Sequence, residues 1–318
     1  MNLFDLGERK IIEELKKLYG TIVDDDSYYF AEGKDYILIT TDVITKKTHI
    51  PDDVSPELAG YFFASLNFSD IAAMGGRPKY FLTSYSMRID TDFDFFMEFN
   101  RGIKKCIKKY KTKMVGGDTK EGDDFTATGI AVGKVNKNFI LLRKNFKQDQ
   151  VVAVTNSLGK NAAGYYLWKN GMKEGAEKLL EIEPRIEEGI AISKHGAKAA
   201  MDLSDGVYSS IDQIKKLTGT GFKIYFDKIP IHPLAFEVSG DLKIPLEEIS
   251  LNFGGDYELL FSVDRSKWQN LKEKMEKNNF KVSEIGETWK GENILVKEGK
   301  EVKIKYHGYE HFTRSTLL

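Results

Sequence analysis

Ile11, Ile12, Leu15 and Leu18 repeat at helical spacing before Gly20, which predicts a short amphipathic helix at the start of the chain. "YILITTD" (36–42) is an apolar run ending in polar residues and reads as a buried strand. Pro56 suits the first turn of a helix whose apolar stripe runs Leu58, Phe62, Leu66, Ile71 and Met74 up to Gly75-Gly76. One carboxylate, Asp70, lies on that stripe. Residues 80–89 alternate like a strand, 94–110 carry a helical pattern, and strands follow at 112–118 and 126–135. The polar segment "NKNFILLRKNFKQD" then separates two halves.

The second half opens with a strand at 150–159, a helix at 160–169 and a Glu- and Lys-rich helical stretch to about 197. Strand "KAAMDLSDG", helix "VYSSIDQIKKLTG" and strand "GFKIYFD" come next. After a Pro-punctuated connection stand "DYELLFSVD", a helix near 266–278, and strands around "SEIGETW" and "NILVKEG". Strands and helices mix without regular βαβ repetition, so the pattern predicts an α+β fold in two domains, 1–145 and 146–318.

Composition narrows the function. The 318 residues are 41% hydrophobic and 30% charged, enough for two cores of ordinary size. Forty-seven basic residues nearly balance forty-eight acidic ones, so the net charge of −1 gives no reason to expect nucleic acid or an anionic membrane. The lysines at 104, 105, 108 and 109 read as the solvated side of a helix. No apolar run approaches the ~20 residues of a membrane span, and "MNLFDLGERK" lacks a signal-peptide layout, which leads us to expect a cytoplasmic protein. The single Cys106 excludes an intramolecular disulfide and a thiolate metal cluster, and its helical spacing with Ile103, Ile107 and Tyr110 marks a packed thiol.

One chemical pattern recurs: an apolar strand ending in Asp beside hydroxyl or glycine residues. It gives Thr40, Thr41 and Asp42; Gly116, Gly117, Asp118 and Thr119; and Asp202, Ser204, Asp205 and Gly206. Each alone fits a turn or a helix cap. Together with Asp70, where an unpaired buried carboxylate would be costly, they suggest a shared site. Converging carboxylates raise one another's pKa unless a cation neutralises them. Oxygen donors without His or Cys fit Mg²⁺, which leaves positions for substrate phosphates. "GKNAAGYY" (159–166) has Walker A glycine spacing but not the Lys and Ser/Thr that follow, so it is not a P-loop. Phosphate contacts are expected from the amides around Gly116–Gly117, the metals and a cation such as Arg143.

With these residues assembled, the chain resembles thiamine-monophosphate kinase, within the aminoimidazole-ribonucleotide synthetase-like superfamily. The matching stretches are "VDDDS", "TTDVITKKTHI", "NFSDIAAMGGRP", "VGGDT", "MDLSDG", "GGDYELLF", "IGE" and "HGYEHF", in order and nearly end to end. The resemblance implies transfer of the γ-phosphoryl of ATP to thiamine monophosphate with several Mg²⁺ ions. It also implies a homodimer built through the N-terminal sheet-and-helix domain. Carried across, Asp25, Thr40, Thr41, Asp42, Asp70, Asp118, Asp202 and Asp205 match metal positions. Gly117, Asp118, Arg143 and Ser204 match nucleotide contacts, and His49, Gly255 and Tyr309 match the acceptor side. Asp25 stands fifteen residues before Thr40, which fits the second member of the family's aspartate pair and makes it the expected ligand, with Asp24 its helper and the role of Asp26 open.

Three positions depart from the family pattern. Val23 replaces a Gly, Lys46-Lys47 replaces Glu-Gly or Ala-Gly, and Gly255 stands where many members carry Glu. Selenophosphate synthetase and the hydrogenase-maturation carbamoyl dehydratase would each need a reactive terminal Cys, which this chain lacks. Aminoimidazole-ribonucleotide synthetase, a non-catalytic nucleotide-binding module and a metal-dependent phosphatase remain as alternatives.

Overall fold

The computed structural model describes residues 2–305 and Phe312. The first half contains strands β1 (Tyr28–Glu32), β2 (Asp35–Thr45), β3 (Arg77–Met87), β4 (Lys113–Glu121) and β5 (Thr126–Asn136). Its helices are α1 (Glu8–Tyr19), the short α2 (Lys46–His49), α3 (Pro56–Ala73) and α4 (Phe93–Tyr110). The strands form one sheet in the order β1-β2-β5-β3-β4, antiparallel except for the β3–β4 pair.

The second half carries strands β6 (Gln150–Thr155), β7 (Ala199–Asp202), β8 (Gly221–Tyr225), β9 (Leu259–Asp264), β10 (Val282–Trp289), β11 (Ile294–Lys297) and β12 (Lys300–Lys303). They form a mixed sheet in the order β12-β11-β8-β10-β6-β9-β7. Helices α5 (Lys160–Lys169), α6 (Glu174–Leu180), α7 (Ile186–Lys194), α8 (Gly206–Thr218), α9 (Pro233–Leu242) and α10 (Arg265–Lys277) surround it. Two mixed sheets with helices between and around them make an α+β fold. The notable differences from the sequence reading are β1, α9 and a π-helical turn at Glu248–Asn252. Strand β6 also ends at Thr155, because Asn156 turns the chain in the left-handed region (φ +51°). No helix among the described residues is long and apolar enough to cross a membrane.

Helix α3 organises the molecule. Ser55 caps it through the Leu58 amide, Pro56 opens it, and nearly all of it from Ala59 to Ala73 is buried. Its apolar side chains share one core with the first sheet, α4, and Ala176, Leu180, Ile182 and Ile186 of the second half. Ala73 joins a different core with Ile192, Ala200, Leu259 and Phe261. The α3–α4 contact is close: a Cβ at Gly60 would lie 1.8 Å from the Phe99 carbonyl oxygen. Cys106 is fully buried in this core, and burial pushes its thiol up to about 12, so it is a packing residue.

The other face of the first sheet is uncovered in the single chain. Tyr28, Phe30, Ile39, Val43, Tyr80, Met114 and Val115 are all exposed there or on its edge strands.

Candidate active site

The site forms where α3, β2, β7 and the loop before β1 meet. Along β2 the side chains alternate, with Leu38, Thr40 and Ile44 buried toward α3 and Ile39, Thr41 and Val43 exposed on the open face. Asp42 follows the buried set. Asp70 lies one turn before the end of α3, and Asp202 closes β7. Carboxylate oxygens of Asp26, Asp70 and Asp202 lie within 4.8 Å of one another.

Hydroxyl groups aim these carboxylates. The Thr40 hydroxyl donates to Asp70, and it also contacts the Asp26 carbonyl oxygen at 3.2 Å. Ser69, one residue before Asp70, donates to Asp202 at 2.7 Å. Asn67 accepts the Asp42 amide at 3.2 Å. Arg143 grips Asp26 through two nitrogens, at 2.5 and 3.2 Å, and its own amide donates to Asp25 at 2.6 Å. The Asp26 side chain is only 1% exposed, so this charge is held inside the protein.

Four carboxylates are pushed up. Burial, then Asp42, Asp202 and Asp26, raises Asp70 well above the usual range. Burial and Asp26 raise Asp202 to about 8, against the opposing Ser69 hydrogen bond. Burial and Asp26 bring Asp42 to about 6, and burial brings Asp25 to about 6 despite the Arg143 amide. Burial opposes the Arg143 charge, but Asp26 more than compensates and the guanidinium stays protonated. Burial and the nearby carboxylates also keep the Tyr257 phenol protonated. Tyr257 adopts φ +51°, and its ring meets Phe62 edge-on with centroids 6.2 Å apart. Such strain in a bulky residue clusters at functional sites.

A cavity of about 630 Å³ opens onto this centre, lined by Asp25, Asp26, Thr40 and Thr41 with Ile22, Tyr28 and Ile39. Thus Thr40, Asp42, Asp70, Asp202 and Arg143 converge as a group, with Asp25 beside them. In space Asp26 joins Asp70 and Asp202, while Asp25 lines the same cavity and accepts the Arg143 amide. Asp24 instead forms an ion pair with Lys16 of α1. Asn67, Ser69 and Tyr257 were not foreseen. Ser69 alone had a sequence signal, as a hydroxyl beside the stripe carboxylate.

Thr41 lines the cavity but turns its hydroxyl away from the trio, and the other residues stand apart. Thr41 donates to the Gly129 carbonyl on the open side of β2. Asp42, Gly129, Thr83 and Gly117 form one row across the sheet, with Asp118 one residue farther along β4. Three strand spacings put Asp118 roughly 14 Å from Asp42. Asp205 sits at the start of α8, within 3.5 Å of Gln213, and Ser204 accepts the Gly255 amide through its carbonyl at 2.7 Å. His49, on α2, shares its Nδ1 with the Thr48 hydroxyl and the Thr45 amide. Tyr309 lies outside the described residues.

Comparison with known proteins places this geometry. Residues 23–135 match the family model for AIR synthase related protein, N-terminal domain. The chain is 34% identical to thiamine-monophosphate kinase of Pyrococcus abyssi, over 90% of this chain and 89% of that protein. It is 32% identical to the thiamine-monophosphate kinase of Buchnera aphidicola from Acyrthosiphon pisum, over 97% and 96%. Among solved structures, AaThiL complexed with AMPPCP and TMP superposes with a TM-score of 0.87 at 26% identity, covering 98% of this chain and 99% of that one. Thiamine monophosphate kinase from Aquifex aeolicus gives 0.83 at 26% identity, over 95% and 99%. With a relative above 30% identity matched along nine-tenths of its length, the chain belongs to the thiamine-monophosphate kinase family.

Proposed function

We propose that this chain transfers the γ-phosphoryl group of ATP to the phosphate of thiamine monophosphate, giving thiamine diphosphate and ADP. The observation that carries this reading is the buried convergence of Asp26, Asp70 and Asp202 in a chain of this family. An all-oxygen donor set with raised carboxylate pKa values calls for either protons or a hard cation, and Mg²⁺ fits it. When bound, Mg²⁺ supplies neutralisation and alignment of phosphate oxygens for in-line transfer.

The chain's own residues divide the work. Asp26, Asp70 and Asp202 would hold the cation, with Asp42 and Asp25 beside them. Thr40 and Ser69 orient Asp70 and Asp202 by hydrogen bonds, and Arg143 fixes Asp26 while adding positive charge for the nucleotide. The acceptor phosphate is already ionised, so no strong general base is required. We place Ser204 and Asp205 at the nucleotide end, and His49, Gly255 and Tyr309 around the acceptor.

Thr41 lines the cavity beside Asp26, whereas Gly117 and Asp118 cannot join the carboxylate trio from within one chain. We assign their nucleotide and metal roles to a homodimer in which the open faces of two first sheets meet. The exposed apolar residues on that face support the reading. We also keep the division into domains 1–145 and 146–318, between the two sheets. The test is incubation with Mg-ATP and thiamine monophosphate, followed by chromatography of the products. Thiamine diphosphate with ADP is expected; thiamine with free phosphate, or no product, overturns the assignment.

A further inference from the structure

Arg185 and Glu258 form a buried ion pair in the second half of the chain. Two nitrogens of Arg185 donate to the two oxygens of Glu258, at 2.7 and 2.6 Å, a matched fork. The Glu258 side chain is only 4% exposed. It also accepts the Thr155 hydroxyl at 2.6 Å and the Asn156 side-chain amide at 3.3 Å. Both members of the pair line a second cavity, of about 1040 Å³, that none of Asp26, Asp70 and Asp202 lines.

Each end of the pair is joined to a different part of the carboxylate site. Arg185 immediately precedes α7, which packs tightly on the last turn of α3. A Cβ at Gly189 of α7 would lie 2.3 Å from the carbonyl oxygen of Ala72, two residues beyond Asp70. Glu258 holds the chain that carries Asp202. Its carbonyl accepts the Leu203 amide at 2.8 Å, and the Leu203 carbonyl accepts the Tyr257 amide at 3.2 Å. Next along, Asp202 pairs with Leu259 across β7 and β9. The pair thus links the frame of Asp70 to the frame of Asp202, in addition to the Ser69–Asp202 hydrogen bond.

A buried ion pair is a poor device for stability alone, because desolvation offsets much of the attraction. Its forked geometry, by contrast, admits one arrangement, and a lysine would keep the charge without the fork. We propose that Arg185, acting through Glu258, is a positioning residue that sets Asp202 against Asp70 and so tunes the affinity of the trio for Mg²⁺. This inference rests on the reading that the trio holds Mg²⁺. The pair touches neither substrate nor cation.

Calorimetric titration with Mg²⁺ alone, and the Mg²⁺ dependence of turnover at fixed ATP, test it. The proteins are wild type, Arg185→Lys, Glu258→Gln and Met275→Ala, with circular dichroism melting to verify each fold. Met275 is fully buried on α10, so its truncation lowers the melting temperature through packing alone. We expect Kd and the half-saturating concentration of Mg²⁺ to rise about tenfold in Arg185→Lys and in Glu258→Gln. Met275→Ala should bind Mg²⁺ as wild type does. Glu258→Gln, nearly isosteric with the native residue, carries the test if Arg185→Lys does not accumulate. Folded Arg185 or Glu258 variants with the wild-type Kd for Mg²⁺ overturn the inference while leaving the metal reading intact. An equal rise in Met275→Ala also overturns it. Wild type that binds no Mg²⁺ overturns the metal reading, and the inference with it.

Discussion

Ser69 of α3 donates its hydroxyl to Asp202 at the end of β7, a buried 2.7 Å bond that ties the first half of the chain to the second. Its energetic role follows from burial. Ser69→Ala leaves the Asp202 oxygen without this donor and should cost about 1–3 kcal/mol of stability. Urea unfolding of the metal-free protein measures it, and turnover should fall as Asp202 loses its aim.

Asp26 and Asp25 make a discriminating pair. If the trio holds Mg²⁺, Asp26→Asn should cut turnover by orders of magnitude and remove most of the thermal stabilisation expected on adding Mg²⁺. Asp25→Asn, which keeps an acceptor for the Arg143 amide, should do less on both counts. Equal losses in the two variants would contradict the assignment of Asp26 to the trio. Asp42→Asn should also lower turnover by orders of magnitude while the fold stays intact.

Asp256 predicts a pH dependence away from the carboxylate trio. It accepts the Gly159 amide at 2.8 Å, and burial raises it to about 7. Because its folded pKa exceeds the unfolded value, its stabilising effect is complete below about pH 4 and is lost as pH rises through 7. The swing is worth roughly 4 kcal/mol at most. Asp256→Asn keeps the acceptor without titrating, so its melting temperature should vary less than that of wild type between pH 5 and 8.

The open sheet face predicts assembly. Tyr80→Glu places a charge on an exposed position (47%) that costs the single chain little. Sedimentation velocity should show a dimer for the wild type and a lighter species for the variant, with a matching loss of turnover.

Helix contact predicts a fold defect. Gly60→Ala puts a methyl group 1.8 Å from the Phe99 carbonyl oxygen, where backbone must move. We expect a loss of about 3 kcal/mol or more, or failure to accumulate folded protein.

Much of this was legible in the sequence because burial leaves periodic marks. Asp70 stood out as a carboxylate on an apolar helical stripe, and β2 announced itself by its apolar run. Strand β1 did not, since Tyr28 and Phe30 face the open side and follow an aspartate run that reads as a loop. Helix α9 hid behind Pro233, which reads as punctuation yet suits a first helical turn. The place of Asp26 beside Asp70 and Asp202 was not legible, because a count along the chain gives no distance through space.

Helix α3 carries a consequence for how the enzyme moves. Its side chains belong to cores on both sides of the chain's midpoint, so prising the halves apart would strip apolar surface from each at once. A hinge between the halves is therefore closed off, and the molecule should melt in a single cooperative transition. Substrates must reach the carboxylates through the cavity beside Asp25, Asp26, Thr40 and Thr41, without the two halves parting.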